Sequence, residues 1–305
     1  MHPLDTALDF LATAKRPLLV VLGPTASGKT AFSVELALAL TQAGNTLEII
    51  NADSRQLYKG MDIGTAKITA EEMKGVPHLL FSVIDPSEEI TAATYQRMAT
   101  ETIEAVQARG NVPMLVGGSM LYISSVIDGL QPLPAKDDAL RAELEAAYAK
   151  DDGVSLFAEL SDIDPESAKI IPRENRPYVI RAVEIHRLTG KPKSAQLTVS
   201  SCPYDLLIFG MQWPRAELTA RIDKRTPLLL RGGWIDEVKR LLAEGYTLES
   251  PGMKSHGYPE MAKAILDGVD PLSAEPVIAA KTRQYAKRQM TWWKHDKRIH
   301  WIRPT

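Results

Sequence analysis

Residues 23 to 30 read GPTASGKT, directly after the apolar run PLLVVL at 17 to 22 and ahead of a helical stretch from Lys29 to Gln42. The stretch fits GxxxxGK[ST] and stands between a buried strand and a helix, where that loop has to stand to work. Gly23 and Gly28 let the backbone wrap an anion, with Pro24, Thr25, Ala26 and Ser27 forming the wall between them. The amides of Ala26 to Thr30 are expected to point inward at a helix N-terminus, Lys29 adds a positive charge, and the Thr30 hydroxyl can ligate Mg²⁺. The site is one for a polyphosphate. Most chains with this loop use ATP or GTP, and the loop alone does not say whose phosphates it holds.

An ordinary phosphate-loop enzyme needs, at another strand end, an acid that holds Mg²⁺ or activates a nucleophile. Three strand ends compete: LEIINAD at Asp53, LLFSVID at Asp85, and PMLVGGS, which ends in glycine and serine. Asp53 is the stronger candidate because its strand follows the helix after the phosphate loop, which places it near the mouth of the same crevice. Asp85 precedes Pro86 and reads equally well as a plain loop acid.

The elements that must position these residues are short aliphatic runs: PLLVVL (17 to 22), LEIINA (47 to 52), HLLFSVI (78 to 84), PMLVGG (113 to 118) and DLLIFGM (205 to 211). Their apolar character is continuous rather than alternating, as in parallel strands buried on both faces. Helical stretches at Lys29 to Gln42 and Ala92 to Arg109 separate them, so the pattern predicts a parallel α/β sheet flanked by helices. From about Gln131 to Gln196 helices follow one another without strands, after the loop LQPLPAKDD. Because DLLIFGM comes later, this block reads as an all-helical domain at 131–196 inserted into a catalytic core made of 1–130 and 197–305. Pro227 and the pair Gly232-Gly233 are expected to interrupt or kink any long helix after that strand.

Composition narrows the class. With one cysteine, Cys202, the chain forms no internal disulfide and no cysteine-based zinc site, and no apolar run has transmembrane length. No basic start followed by an apolar stretch marks the N-terminus, so a cytoplasmic, membrane-free protein is expected. The net charge of −2 conceals an asymmetry: from Lys281 to Thr305 there are eight Lys or Arg against one acid, Asp296, which leaves −9 for the other 280 residues. Tyr285, Trp292, Trp293 and Trp301 are interleaved with those charges. Such a segment suits phosphate backbones and unstacked bases, or else it is a solvated helix whose tryptophans belong to the core.

Onward from Asp53 the chain reads NADSRQLYKGMDIGTAK, followed by PHLLFSVIDP, VGGSMLY, KSHGYPEM and TRQYAKRQMTWWK. In these motifs, taken in order over nearly its whole length, it resembles the tRNA dimethylallyltransferases, also called tRNA isopentenyltransferases, in their compact bacterial form. The resemblance implies transfer of a dimethylallyl group from dimethylallyl diphosphate to N6 of adenosine 37 in the tRNA anticodon stem-loop, with Mg²⁺. It implies that Asp53 is the general base and that GPTASGKT, Gly23 to Thr30, holds the leaving diphosphate. It implies tRNA contacts at Asp53, Ser54, Arg55 and Gln56, at Ser119 and Arg141, at Pro177, Tyr178, Val179, Ile180 and Arg181, and at Lys287, Arg288 and Gln289. A P-loop NTPase-like fold is expected from the strand–loop–helix pattern, and a monomer bound to one tRNA is the simplest assembly. Departures from the family pattern are Ser119 where threonine is common, Ile68 after GTAK where proline is frequent, and Lys254 and His256. His256 is expected to be a packed or surface histidine.

Two other readings use the same residues. In a nucleoside or small-molecule kinase, Arg173, Arg176, Arg181 and Arg187 would be lid residues. In a nucleotide-dependent RNA-binding switch there would be no covalent product. A closer relative in chemistry would prenylate free adenine nucleotides; the large insertion and the basic C-terminal segment favour tRNA.

Overall fold

The computed structural model describes residues 2–129, 133–134, 136–196 and 202–304. The chain separates into two compact units, Met1–Ile127 with Cys202–Thr305, and Asp128–Ser201. The expected boundary at 130/131 lies outside the described residues, and that at 196/197 falls at their edge. Among the described residues no helix is long and apolar enough to cross a membrane.

The first unit begins with α1 (Pro3–Leu11), β1 (Pro17–Leu22), α2 (Lys29–Gln42) and β2 (Leu47–Asn51). It continues through α3 (Ala70–Met73), β3 (His78–Leu79), α4 (Ala92–Ala108), β4 (Val112–Gly117) and α5 (Met120–Ile127). The second unit holds α6 (Asp138–Lys150), α7 (Val154–Ile163), α8 (Pro165–Ile170), α9 (Arg176–Thr189) and α10 (Lys193–Gln196). The chain then re-enters the first unit as β5 (Asp205–Met211), α11 (Arg215–Leu229), α12 (Ile235–Ala243), α13 (Tyr258–Leu266), α14 (Glu275–Trp293) and β6 (Ile299–Ile302).

The six strands form one sheet in the order β3-β2-β4-β1-β5-β6, and every pairing is parallel. Strand β1 is central, and its alternate residues enter two different cores. Leu18, Val20 and Leu22 pack with Tyr95, Ala99 and Ile103 of α4 and with Ile123 of α5. Leu19 and Val21 pack with Val34, Ala37 and Leu40 of α2. A strand covered on both faces needs apolar residues at every position, which is why PLLVVL does not alternate. In a parallel sheet all carboxyl ends lie on one edge, so the loops after β1, β2, β4 and β5 converge there.

Three expectations change. The run HLLFSVI forms a strand only at His78–Leu79, because Leu80 and Ser82 take positive φ angles of 61° and 52°, and Ile84 returns in an isolated bridge to Tyr58. The basic C-terminal segment contains a sixth strand, β6, paired with β5 from Ile208↔Ile299 to Met211↔Ile302. Pro227 lies within α11, and the kink falls later, in a widened turn at Leu230–Trp234 where Gly233 has φ 107°.

The helical unit has its own core of Leu144, Leu156, Leu160, Val179, Ile180 and Val183. Val179 and Ile180, expected at a tRNA surface, are therefore fully buried, with their side chains spent on packing. In the same unit Arg141 and Arg181 both engage the buried Glu184, at 3.7 and 2.7 Å. Tyr178 is exposed and lies under the Lys193 ammonium, 5.6 Å from its ring centre. Arg173, Arg176 and Arg187 pair with Glu174, Glu145, and Glu143 and Glu159. These arginines already balance acids of their own unit, which weighs against free lid arginines.

Candidate active site

The phosphate loop lies between β1 and α2. Gly28, with φ 86°, is the N-cap of α2 and offers no side-chain cap, so among the described residues the first amides of the helix take no cap and can serve an anion. Three distant groups shape the loop from outside. The Trp213 indole N–H donates to the Ser27 carbonyl at 2.8 Å, the Arg221 Nε to the Ala26 carbonyl at 2.9 Å, and the Thr25 amide donates to Gln289 Oε1 at 3.0 Å. The Arg221 guanidinium stacks on Trp213 at 4.3 Å.

Asp53 lies two residues beyond the end of β2. Its amide donates to Asn51 Oδ1 at 2.9 Å, and its own Oδ1 accepts the Arg55 amide at 2.9 Å. Oδ2 takes no hydrogen bond from any described residue. The buried Ser119 accepts the Ser54 amide at 2.8 Å and donates to the Ser54 hydroxyl at 3.1 Å, so its hydroxyl fixes the Asp53 turn from the β4 side. Gly117 permits this approach: a Cβ there would stand 2.7 Å from Ala52 Cα and closer still to the Ala52 carbonyl group. Asp85, the competing acid, accepts from Ser87 and Tyr246 and lies in a loop at neither cavity described next.

Two cavities meet at Asp53. One, of about 420 Å³, is lined by Thr25 to Thr30 together with Asp53, Gln56, Arg221, Lys224 and Arg225. The other, of about 150 Å³, is lined by Ile222, Leu229, Trp234, Tyr258, Ile278 and Tyr285 and by the polar Asp53, Ser54, Arg55, Arg225 and His256. Four cations against one carboxylate make the first a site for an anion, and the apolar and aromatic wall of the second suits an uncharged group or a base. Lys29 is pushed down to about 8, chiefly by burial, while Asp53 pulls it up and Arg225 pushes it down. Burial also lowers Arg225, against the pull of Asp53. His256 is packed on Tyr285 with ring centres 4.9 Å apart, and burial, then Arg55, keep it below the ordinary histidine range.

The family model described as IPP transferase matches residues 56–296. The chain belongs to the IPP transferase family. The tRNA dimethylallyltransferase of Thermobifida fusca is 40% identical over 285 residues, covering 93% of this chain and 89% of that protein. That of Geobacter sulfurreducens is 40% identical over 295 residues, covering 95% and 93%. The solved structure of the tRNA isopentenylpyrophosphate transferase of Bacillus halodurans is 40% identical, with a TM-score of 0.67, and covers 95% of this chain and 90% of that one.

In this IPP transferase the sheet edge brings together the phosphate loop, Asp53 to Gln56 and Ser119. Arg288 lies 5.7 Å from the Tyr285 ring, and neither it nor Lys287 forms an ion pair among the described residues. Arg141 and Pro177 to Arg181 belong to the helical unit. Gln289 differs from expectation: it is 1% exposed and bridges the Thr25 amide to the Gly118 carbonyl, at 3.0 and 2.7 Å. It is a strut between the phosphate loop and the end of β4. Trp293 is buried in the sheet core, while Trp292 is exposed and donates to Ser124 Oγ at 3.3 Å. Sequence reasoning missed Arg221, Lys224 and Arg225. Their signal was present, since cations at i, i+3 and i+4 share one face of a helix, here one that follows a parallel strand.

Proposed function

We propose that the chain transfers a dimethylallyl group from dimethylallyl diphosphate to N6 of adenosine 37 in the anticodon stem-loop of tRNA, releasing diphosphate. The observation that carries this reading is the position of Asp53, where a cationic, amide-lined cavity meets an apolar, aromatic one. Adenine N6 is a weak nucleophile because its lone pair is delocalised into the ring. As N6 bonds to the allylic carbon, the carbon–oxygen bond to the diphosphate breaks, the bond electrons leave with the diphosphate, and Asp53 takes the N6 proton. General base catalysis of this kind contributes roughly 10²- to 10⁴-fold. The loop amides with Lys29 and Arg225 stabilise charge that grows on the leaving group. A single-stranded anticodon loop lets the base be turned out at modest cost.

The donor at the anion cavity fits Mg²⁺: the Thr30 hydroxyl, a hard oxygen, would hold the ion there. The described residues contain no group of three or more His, Cys, Asp or Glu able to hold a metal. When bound, Mg²⁺ neutralises diphosphate charge. We place the enzyme as a monomer on one tRNA.

The test is incubation with dimethylallyl diphosphate, Mg²⁺ and unmodified tRNA, with nucleoside mass spectrometry as readout. Prenylated adenosine 37 is expected, and no product with any tRNA carrying an adenosine at 37 refutes the reading. Asp53→Ala should abolish turnover and leave tRNA affinity largely intact; equal losses in both would remove the general-base assignment. Adenosine monophosphate as acceptor should be far poorer than tRNA.

A further inference from the structure

Glu237, on α12, is 6% exposed, and nothing in the reaction above uses it. Its Oε2 accepts the Asp62 and Ile63 amides at 2.6 and 2.8 Å, and its Oε1 accepts the Gly64 amide at 3.1 Å and the Tyr258 hydroxyl at 2.6 Å. Among the described residues no Lys or Arg forms an ion pair with it. A buried carboxylate is costly unless fully hydrogen-bonded, and here three successive backbone amides and a phenol take the place of a cation.

Those amides open a tight turn, closed by the Lys67 amide on the Asp62 carbonyl at 2.8 Å and the Ala66 amide on the Ile63 carbonyl at 2.9 Å. Gly64 lies flat on the Trp234 indole: a Cβ there would stand 2.6 Å from Trp234 Cδ1 and closer to Nε1. The turn also borders both cavities: Gly64 lines the apolar one, Ala66 the anionic one, and Thr65 both, as do Thr25, Ala26, Asp53 and Arg225. At its far end the Thr65 and Ala66 carbonyls accept the Gln56 side-chain amide at 3.1 and 3.2 Å. A carbonyl can only accept, so the Gln56 NH₂ has to face the turn, and Oε1 is left as the end available to a ligand beside Asp53.

We propose that Glu237 is a positioning residue for the transfer step: it holds the 62–67 turn at the border of the two cavities and, through that turn, sets which end of the Gln56 amide meets the substrate. The inference rests on the reaction proposed above. In Glu237→Gln the side chain keeps its shape, but one accepting oxygen becomes a donor aimed at amide N–H groups. The turn should loosen. Hydrogen exchange, which needs no turnover, should show lost protection confined to residues 56–67 while β1 and β5 keep theirs.

In prenyl transfer the variant should lower kcat by about 10- to 100-fold, with the KM for dimethylallyl diphosphate changed less than about threefold. Glu237→Asp, which keeps a carboxylate, should recover part of the loss. Because the effect runs through Gln56, the double variant Glu237→Gln/Gln56→Ala should lose little more than the worse single variant. Fully multiplicative losses, or protection lost throughout the sheet, would overturn the proposal. Should the wild-type protein transfer no prenyl group, the reaction assignment falls, and the exchange pattern still decides whether Glu237 holds the turn.

Discussion

Replacing Gly117, a residue of the anion-cavity lining, with alanine should slow prenyl transfer by about 10- to 100-fold through the position of Asp53. The added Cβ would stand 2.7 Å from Ala52 Cα and nearer to the Ala52 carbonyl, all of it backbone, which has no rotamer to yield. Ordinary contact begins at 3.4 Å, so the ends of β2 and β4 have to part by at least 0.7 Å. That motion acts directly on the residue preceding Asp53 and on the pairs that seat the turn, the Ala52 amide with the Val116 carbonyl at 2.8 Å and the Ser119 amide with the Ala52 carbonyl at 3.1 Å. A misplacement of about 1 Å at reacting groups costs on the order of 10²-fold, and overpacking a core costs about 1–3 kcal/mol. Single-turnover transfer from dimethylallyl diphosphate to tRNA is the assay, with thermal melting alongside. Gly232→Ala, where a Cβ meets nothing within 4 Å, is the matched control and should stay within about twofold. A Gly117→Ala protein that transfers at wild-type rate would refute the claim that this contact sets the position of Asp53.

Lys29 gives a prediction in pH. Its folded value of about 8 lies below its free value of 10.5, so without ligand the fold gains stability as pH rises from about 8 toward 10.5. A bound diphosphate favours the charged form, so binding inorganic diphosphate at pH 8.5 should take up a proton, and affinity should fall as pH rises through 8. Calorimetry in two buffers of different ionisation enthalpy measures the uptake; its persistence in Lys29→Arg would assign it elsewhere. Gln289→Ala leaves the Thr25 amide and the Gly118 carbonyl without a partner in a buried setting, at a cost of about 1–3 kcal/mol. The melting temperature should drop by several degrees and the KM for dimethylallyl diphosphate should rise; a change in neither would show the strut to be dispensable.

The anion site was legible because it is local. A glycine at positive φ, a lysine and a hydroxyl within eight residues, between a continuous apolar run and a helix, define it with little help from the rest of the chain. The strands at 17 to 22, 47 to 52, 113 to 118 and 205 to 211 were legible for a related reason, since burial on both faces leaves an unbroken aliphatic signature. Asp53 could be ranked above Asp85 from strand order alone, and the motifs after it pointed to the family. Where the signature was ambiguous the reading failed: HLLFSVI has strand composition, but positive φ at Leu80 and Ser82 folds it back onto the loop after Asp53. The strand at Ile299–Ile302 is too short and too mixed with charge to stand out, and it exists because β5 offers it an edge.

Tertiary structure alone decided how the site is closed and held. Thr25 meets Gln289, Ala26 meets Arg221, and Asp62 meets Glu237 across separations of 264, 195 and 175 residues. No local pattern announces such pairs, because each side chain reads as an ordinary polar residue on its own helix. The sequence by itself pointed to an anion-holding loop and to Asp53 as the acid beside it, as those depend on backbone conformation over a few residues and on strand order. The cations that line the anion cavity, the turn at the border of the two cavities and the strut behind the loop depend on which helix faces pack at the sheet edge, and that is settled only when the whole chain has buried its apolar surface.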